Sequence, residues 1–274
     1  MRKLVIDRAA IKNNLTVIKD RAAGAAIYGV LTGDGQGVGA AALAQLLRDE
    51  GIGRFAVSEV SEAEALRQAG FVDEEILMLR ATTDREELER LVDLNVVCTV
   101  SSVDTGMALN ALAGNRSTVA EAHIQVDTGM GFGGFLVSEP EKLLLAYRSM
   151  PNVALSGVYT QLHAARPNDP QAKRQLEQFQ LALDAIHQAG FETGAVHAAG
   201  SFALLHGLAP ELDGVRAGSA ILGRCRRTRD DGLKTVGFGQ APLTEVRWLP
   251  KGHVLGVDRP VTLKKPTRVA VLPV

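Results

Sequence analysis

Two rhythms of apolar and polar positions take turns along this chain. Short, nearly continuous apolar runs stand at 25–31, 55–57, 76–79, 96–100, 122–126, 153–159, 195–198 and 214–216, the pattern of strands buried on both faces. Between them, apolar residues recur three and four apart over 41–48, 61–69, 85–92, 103–112, 139–149 and 170–189, which predicts amphipathic helices. A parallel strand reaches its neighbour only through a crossover. Eight strands alternating with helices therefore predict an α/β fold, a (β/α)8 TIM-type barrel, with a doubly wound open sheet as the competing architecture. The seventh crossover, 201–208, is short and is the weakest link of that pattern.

Before the first run, residues 4–6 are strand-like, and Asp7 is placed to cap a helix whose apolar face is Ala10, Ile11, Leu15 and Ile18. Beyond residue 220 the alternation stops. Residues 234–240 read as a glycine-containing loop, and 243–249, 253–257 and 268–272 as strands. This predicts a barrel over 1–225, followed over 226–274 by a linker and the beginning of a small β domain, incomplete and open-edged at Val274.

Composition adds what the chain is not. It has 274 residues, 46% hydrophobic and 22% charged, with a net charge of −1. One barrel of ~250 residues would use nearly all of it, and near-neutral charge without a basic stripe argues against nucleic acid or an anionic membrane as the main partner. Cys98 lies in an apolar run and Cys225 between Arg224 and Arg226, without metal-ligand or disulfide spacing. No apolar stretch has the length of a signal peptide or a membrane helix. The expectation is a cytoplasmic protein with a small-molecule ligand and no metal.

A barrel carries its chemistry where strands end. Those positions hold Thr32, Asp34 and Gln36; 127–134, beginning with Asp127; Gln161 and His163; Gly200 and Ser201; and Arg216, Gly218 and Ser219. The first group sits in Thr32-Gly33-Asp34-Gly35-Gln36-Gly37, where backbone lacking Cβ atoms can approach an anion. Short glycine runs are weak motifs, and spacing alone favours a mere tight turn there. The last two groups meet where such barrels often place a phosphate, and ordinary capping accounts for them about equally well.

The order of several segments gives more. IDRAAIKNNLTVIK, FAVSEVSEAEALRQAGF, QVDTGMGFGG, LSGVYTQLHAA, VHAAGS and GVRAGSAILG together resemble the pyridoxal-phosphate-dependent alanine racemases over essentially the whole chain. The resemblance implies a barrel followed by a β domain, a lysine on the first barrel strand that forms a Schiff base with the cofactor, and a head-to-tail dimer whose β domain donates a tyrosine base. It also implies phosphate contacts from Ser201, Gly218 and Ser219, a pyridine-nitrogen contact from Arg216, and a neighbouring histidine at His197.

The same resemblance marks departures. The family's VKANAYGHG stretch stands here as LTGDGQGVG, with Thr32 at the lysine and Gln36 at a phosphate-binding tyrosine. Phe132 stands at an arginine near the cofactor's phenolic oxygen, Gln125 at the lysine that orients it, and Gln161 at a histidine. Threonine offers no amine, and no lysine falls at a predicted strand end. The reading is a racemase-like barrel, a pseudoenzyme, that has lost lysine chemistry and binds pyridoxal phosphate or another phosphorylated small molecule non-covalently through Ser201, Gly218, Ser219, Arg216, His197 and Gln36.

Two alternatives stand beside it. One is an active amino-acid isomerase whose base is Asp34, Asp127 or His163, although a solvated loop is the ordinary place for such a histidine. The other is a non-catalytic partner of another protein, associating through bare Trp248, Leu249 and Val257, or a homodimer through completed sheet edges.

Overall fold

The computed structural model describes residues 2–163, 169–208, 212–225 and 231–272. Arg226 and Val274 lie outside them. The chain divides into two compact units, one of 8–235 and one of 1–7 together with 236–274.

The larger unit runs α1 (Arg8–Ala22), β2 (Ala26–Val30), α2 (Thr32–Gly37), α3 (Ala40–Asp49), β3 (Arg54–Val57), α4 (Val60–Gln68), β4 (Glu75–Met78), α5 (Arg85–Asp93) and β5 (Cys98–Val100). It continues α6 (Val103–Asn115), β6 (Ala120–Asp127), β7 (Phe135–Leu136), α7 (Pro140–Ser149), β8 (Val153–Tyr159), α8 (Pro170–Gln188), β9 (Ala195–Gly200), α9 (Ser201–Leu205) and β10 (Gly214–Ala217). The strands pair in parallel in the order β4-β3-β2-β10-β9-β8-β6-β5. A parallel bridge from Leu77 to Val97 closes β4 onto the segment entering β5. The result is the (β/α)8 barrel of the sequence pattern, and the short seventh crossover is the single turn and a half of α9.

The outer helices form for ordinary reasons. Asp84, Ser102 and Asp169 accept the first free N–H groups of α5, α6 and α8, and each helix turns a stripe such as Leu43, Ala44 and Leu47 inward. Asn14 of α1 is fully buried: its amide donates to the carbonyls of Ile221 and Lys234 and accepts from Lys234 N–H. That clamp fixes the segment after β10 against the first helix.

The barrel interior is polar along one side. Tyr28, Ala56, Leu77 and Val97 make an apolar cluster, but His123, Gln125, Tyr159, His197 and Arg216 are also buried within the strands.

The smaller unit holds β1 (Lys3–Ile6), β11 (Gly237–Gln240), β12 (Glu245–Leu249), β13 (Val254–Leu255), β14 (Val261–Thr262) and β15 (Thr267–Val271), paired antiparallel as β1-β11, β12-β15 and β13-β14. Two expectations are corrected here. The glycine-containing 234–240 segment is in part a strand, because Gly237 and Gly239 sit in a ladder with Ile6 and Leu4 that needs no side-chain volume. Leu249 is not bare: at the end of β12 it is 8% exposed, the one buried residue of that strand, while Trp248 is 69% exposed.

Candidate functional site

At the carboxyl ends of the barrel strands lies a cavity of about 400 Å³. Its wall includes Gln36, Met130, Gln161, His163, Ser201, Arg216, Gly218 and Ser219. Among the described residues that line it there is no lysine, and its titratable side chains are His163 and Arg216.

One end is a cradle of neutral hydrogen-bonding groups. Ser201 Oγ, at the end of β9, accepts the N–H groups of Gly218 (3.0 Å) and Ala220 (3.1 Å) from the turn after β10. With two backbone donors on its oxygen, the hydroxyl has its proton to offer outward. Gly218 lacks a Cβ for a reason: one added there would stand 2.5 Å from Gln36 Nε2 and 3.0 Å from Val30 Cβ. The bare backbone lets the Gln36 amide lie against the turn.

Gln36 reaches that position through α2, whose four central residues, Gly33 (φ 64°), Asp34 (φ 52°), Gly35 (φ 63°) and Gln36 (φ 56°), are all in the left-handed region. Two non-glycine residues there cost roughly 1–2 kcal/mol each. Side chains hold the turn. Glu62 of α4 accepts Gly33 N–H (2.5 Å), and Asp34 Oδ1 accepts Ala40 N–H at the start of α3 (2.8 Å).

The other end is Arg216. Its Nη1 donates to His197 Nδ1 (2.6 Å), and its Nη2 donates to the Thr160 carbonyl (2.7 Å) and Gln161 Oε1 (2.9 Å). Its Nε is the guanidinium nitrogen with no protein acceptor among the described residues. Burial lowers its pKa to about 10. No carboxylate pairs with it among the described residues; the Tyr159 ring lies 5.2 Å from the guanidinium carbon. Beneath it, His197 is stacked between Tyr28 and Tyr159 with centroids 5.1 and 5.0 Å away, and lies 3.0 Å from His123 through Nε2 and Nδ1. Burial and the arginine's charge push both imidazoles down, His123 to about 4.

The remaining candidates fall elsewhere on the mouth. Thr32 is half-buried beyond β2 and is not among the residues lining the cavity. Asp127 Oδ1 accepts the N–H groups of Gly129, Met130 and Gly131 at 2.8–3.1 Å, which organises the 127–134 loop. His163 is held rather than freely solvated: its backbone N–H and Nδ1 both meet Gln175 Oε1 at 3.1 Å, and its Nε2 is 3.5 Å from Asp169. Phe132 is 72% exposed, and the buried Gln125 reaches only its carbonyl, at 3.5 Å.

Sequence reasoning passed over His123, Tyr28, Tyr159 and Gln175. The period-two spacing of His123 and Gln125 in β6 was the available signal for the first. Gln175 sits on a helix 12 residues after His163, and no local pattern points from one to the other.

The donor set fits part of a pyridoxal phosphate molecule and not all of it. A phosphate matches the Ser201–Gly218 cradle, and a ring nitrogen matches the open Arg216 Nε, which donates and so holds the nitrogen unprotonated. Among the described residues, no lysine for covalent attachment lines the cavity.

Comparison with known proteins agrees with the barrel. The family model for the alanine racemase N-terminal domain matches residues 6–225. Alanine racemase of Carboxydothermus hydrogenoformans is 30% identical over 271 residues, spanning 96% of this chain and 72% of that protein. The alanine racemase structure from Streptomyces coelicolor superposes with a TM-score of 0.86 at 26% identity, covering 98% of this chain and 73% of that one. A third, alanine racemase from Bartonella henselae with covalently bound pyridoxal phosphate, shares the fold at a TM-score of 0.86 and 22% identity over 99% of this chain and 74% of its own. By the extent of the family match and by these likenesses, the chain belongs to the alanine racemase family through that family's N-terminal domain.

Proposed function

We propose that this barrel binds pyridoxal phosphate, or a phosphorylated ligand of the same shape, non-covalently and without lysine-based racemase chemistry. The observation that carries the reading is the cavity lining: neutral phosphate donors at one end, Arg216 at the other, and no lysine among the described residues between them. Thr32 stands where the family resemblance puts the attaching amine, and a hydroxyl neither forms a Schiff base nor acts as the lysine base. When bound, pyridoxal phosphate supplies an aldehyde and an electron-withdrawing ring. The protein's part is to hold the phosphate on Ser201 and the Gly218–Ser219 turn, and to fix the ring nitrogen through Arg216, itself aligned by His197 and Gln161.

A second reading, an isomerase with a different base, is favoured by His163 alone. Gln175 Oε1 accepts from His163 backbone N–H, and its Nε2 donates to Thr128 Oγ1 and the Gln161 carbonyl. That fixes the amide orientation, so His163 carries a proton on Nδ1, while its Nε2 lies 3.5 Å from Asp169 Oδ2, an acid–base pair beside the cavity.

The deciding experiment is a calorimetric titration of the protein with pyridoxal phosphate, followed by dialysis and, separately, borohydride reduction with peptide mapping. Saturable binding that dialyses away, with no adduct inside the barrel, supports the first reading. An adduct on a lysine at the cavity overturns it. Exchange of the α-proton of an amino acid into deuterated water, abolished by His163→Gln, would favour the second.

A further inference from the structure

We propose that Arg224 is an anion-recognition residue of this cavity, a positioning residue that secures the Gln36 side of the cradle and supplies the positive charge for a dianionic phosphate monoester. The inference rests on the reading of the cavity as a phosphate site and names a determinant of that site.

Among the described residues the cradle has no charge of its own. Gln36, Ser201 and Ser219 offer neutral donors, Gly218 N–H being taken by Ser201 Oγ, and the Nη groups of Arg216 are committed at the opposite end to His197, Thr160 and Gln161. A phosphate monoester brings a charge of about −1.5 to −2 at neutral pH. Neutral N–H and O–H groups orient such an ion, and a nearby cation is what favours it over a neutral or singly charged ligand.

Arg224 is where that cation is tied in. Its backbone N–H donates to the Ser219 carbonyl at 2.8 Å, closing the turn that carries Gly218 and Ser219. Its guanidinium Nη1 donates to the Gln36 carbonyl, also at 2.8 Å, across 188 residues of sequence. One residue thus joins the two loops that form the cradle. Gln36 is also the residue that most needs holding, since its left-handed φ of 56° is one an unrestrained glutamine leaves. The Arg224 side chain is exposed and reaches the cavity through Gln36 rather than lining it, so its attraction for an anion is long-ranged and weakened by salt.

The test uses pyridoxine 5′-phosphate, whose alcohol cannot react with surface lysines, titrated calorimetrically into the whole chain at low and high ionic strength. Arg224→Gln keeps a hydrogen-bond donor for the Gln36 carbonyl and removes the charge; Arg224→Lys keeps both. The expected result is an affinity about tenfold lower in Arg224→Gln at low salt, a shallower salt dependence in the same variant, and near-parental behaviour in Arg224→Lys. Equal affinity and equal salt dependence in Arg224→Gln and the parent overturn the inference and leave the cradle standing. A loss in Arg224→Gln that salt does not narrow also overturns it, because the residue is then a brace alone. Absence of any binding to the parent protein overturns the inference together with the reading of the cavity.

Discussion

Arg216 donates from Nη1 to Nδ1 of His197 at 2.6 Å, and this one bond orders the barrel interior beneath it. Because Nδ1 of His197 accepts, its proton sits on Nε2, which donates to His123 Nδ1 at 3.0 Å. The same logic puts the His123 proton on Nε2. Arginine and both imidazoles therefore form a directional chain in which each ring is neutral, and a proton added to His197 Nδ1 would face a guanidinium. The bond does two jobs at once: it ties β9 to β10, and it fixes the guanidinium plane, whose Nε has no protein acceptor among the described residues.

A pH dependence of stability follows. Burial and the charge of Arg216 lower both histidines, His123 to about 4, against about 6.5 in an unfolded chain. Between those values the unfolded chain binds protons that the folded barrel refuses. Stability is therefore full above about pH 6.5 and falls as pH drops toward 4, with a slope approaching one proton per histidine. Denaturant titrations from pH 8 to 4.5 check this. His123→Asn should flatten the slope, and an unchanged slope would remove the histidine pair as its source.

Gly157 makes room for that pair. A Cβ at this position would lie 2.6–2.7 Å from Nε2, Cδ2 and Cε1 of His123. The ring is confined by Tyr28 at 6.3 Å and by His197 at 5.1 Å, so it has little space to give. Gly157→Ala should destabilise the barrel by about 1–3 kcal/mol, the usual cost of overpacking, read as a lower unfolding midpoint. Restoration by His123→Ala in the double variant would identify the clash.

Much of the barrel was legible in the sequence because each strand from 25–31 to 214–216 is a compact apolar run, and such runs need two covered faces. Pairing partners were less legible. Residues 4–6 read as a strand, yet nothing local shows that they join Gly237–Gln240, more than 200 residues on. The left-handed α2 was hidden for a related reason. Its glycines announce a turn, while its hand depends on Asp34 bonding Ala40 N–H and on Glu62 reaching Gly33 from another helix. His163 read as a solvated loop residue because its partner Gln175 is buried on α8, at 2% exposed. The mouth residues Ser201, Arg216, Gly218 and Gln36 were found because a barrel fixes where its functional ends lie, whereas their mutual bonds needed coordinates.

Asp127 illustrates the difference between position and role. A carboxylate at a barrel mouth is an acid-base candidate, but its Oδ1 is occupied by three consecutive backbone N–H groups. Asp127→Asn keeps the oxygen acceptor and should leave ligand binding within about twofold, since the loop's three bonds persist, each at about half its strength. Asp127→Ala leaves those donors unaccepted and should speed amide exchange at residues 129–131. A proton-transfer role would instead make the asparagine variant as damaged as the alanine one.

Ser201 offers the sharpest separation between stability and binding. Its Oγ already occupies the place where an anion oxygen would accept Gly218 and Ala220 N–H groups, at 3.0 and 3.1 Å. Ser201→Ala leaves both donors without an acceptor, a cost of about 1–3 kcal/mol in stability if water does not enter, and it removes the hydroxyl proton that a phosphate would accept. Ser201→Asp acts in the opposite sense. Its carboxylate satisfies the same two donors more strongly and repels a second anion beside it. The aspartate variant should therefore melt at or above the alanine variant while losing phosphate-ligand affinity by at least tenfold, an electrostatic penalty of about 1.4 kcal/mol or more. Thermal unfolding and calorimetry on the same samples read both quantities. If Ser201→Asp binds pyridoxine phosphate as well as the parent does, the Ser201–Gly218 cradle is not where the phosphate sits, and the ligand end of the cavity must be sought nearer His163.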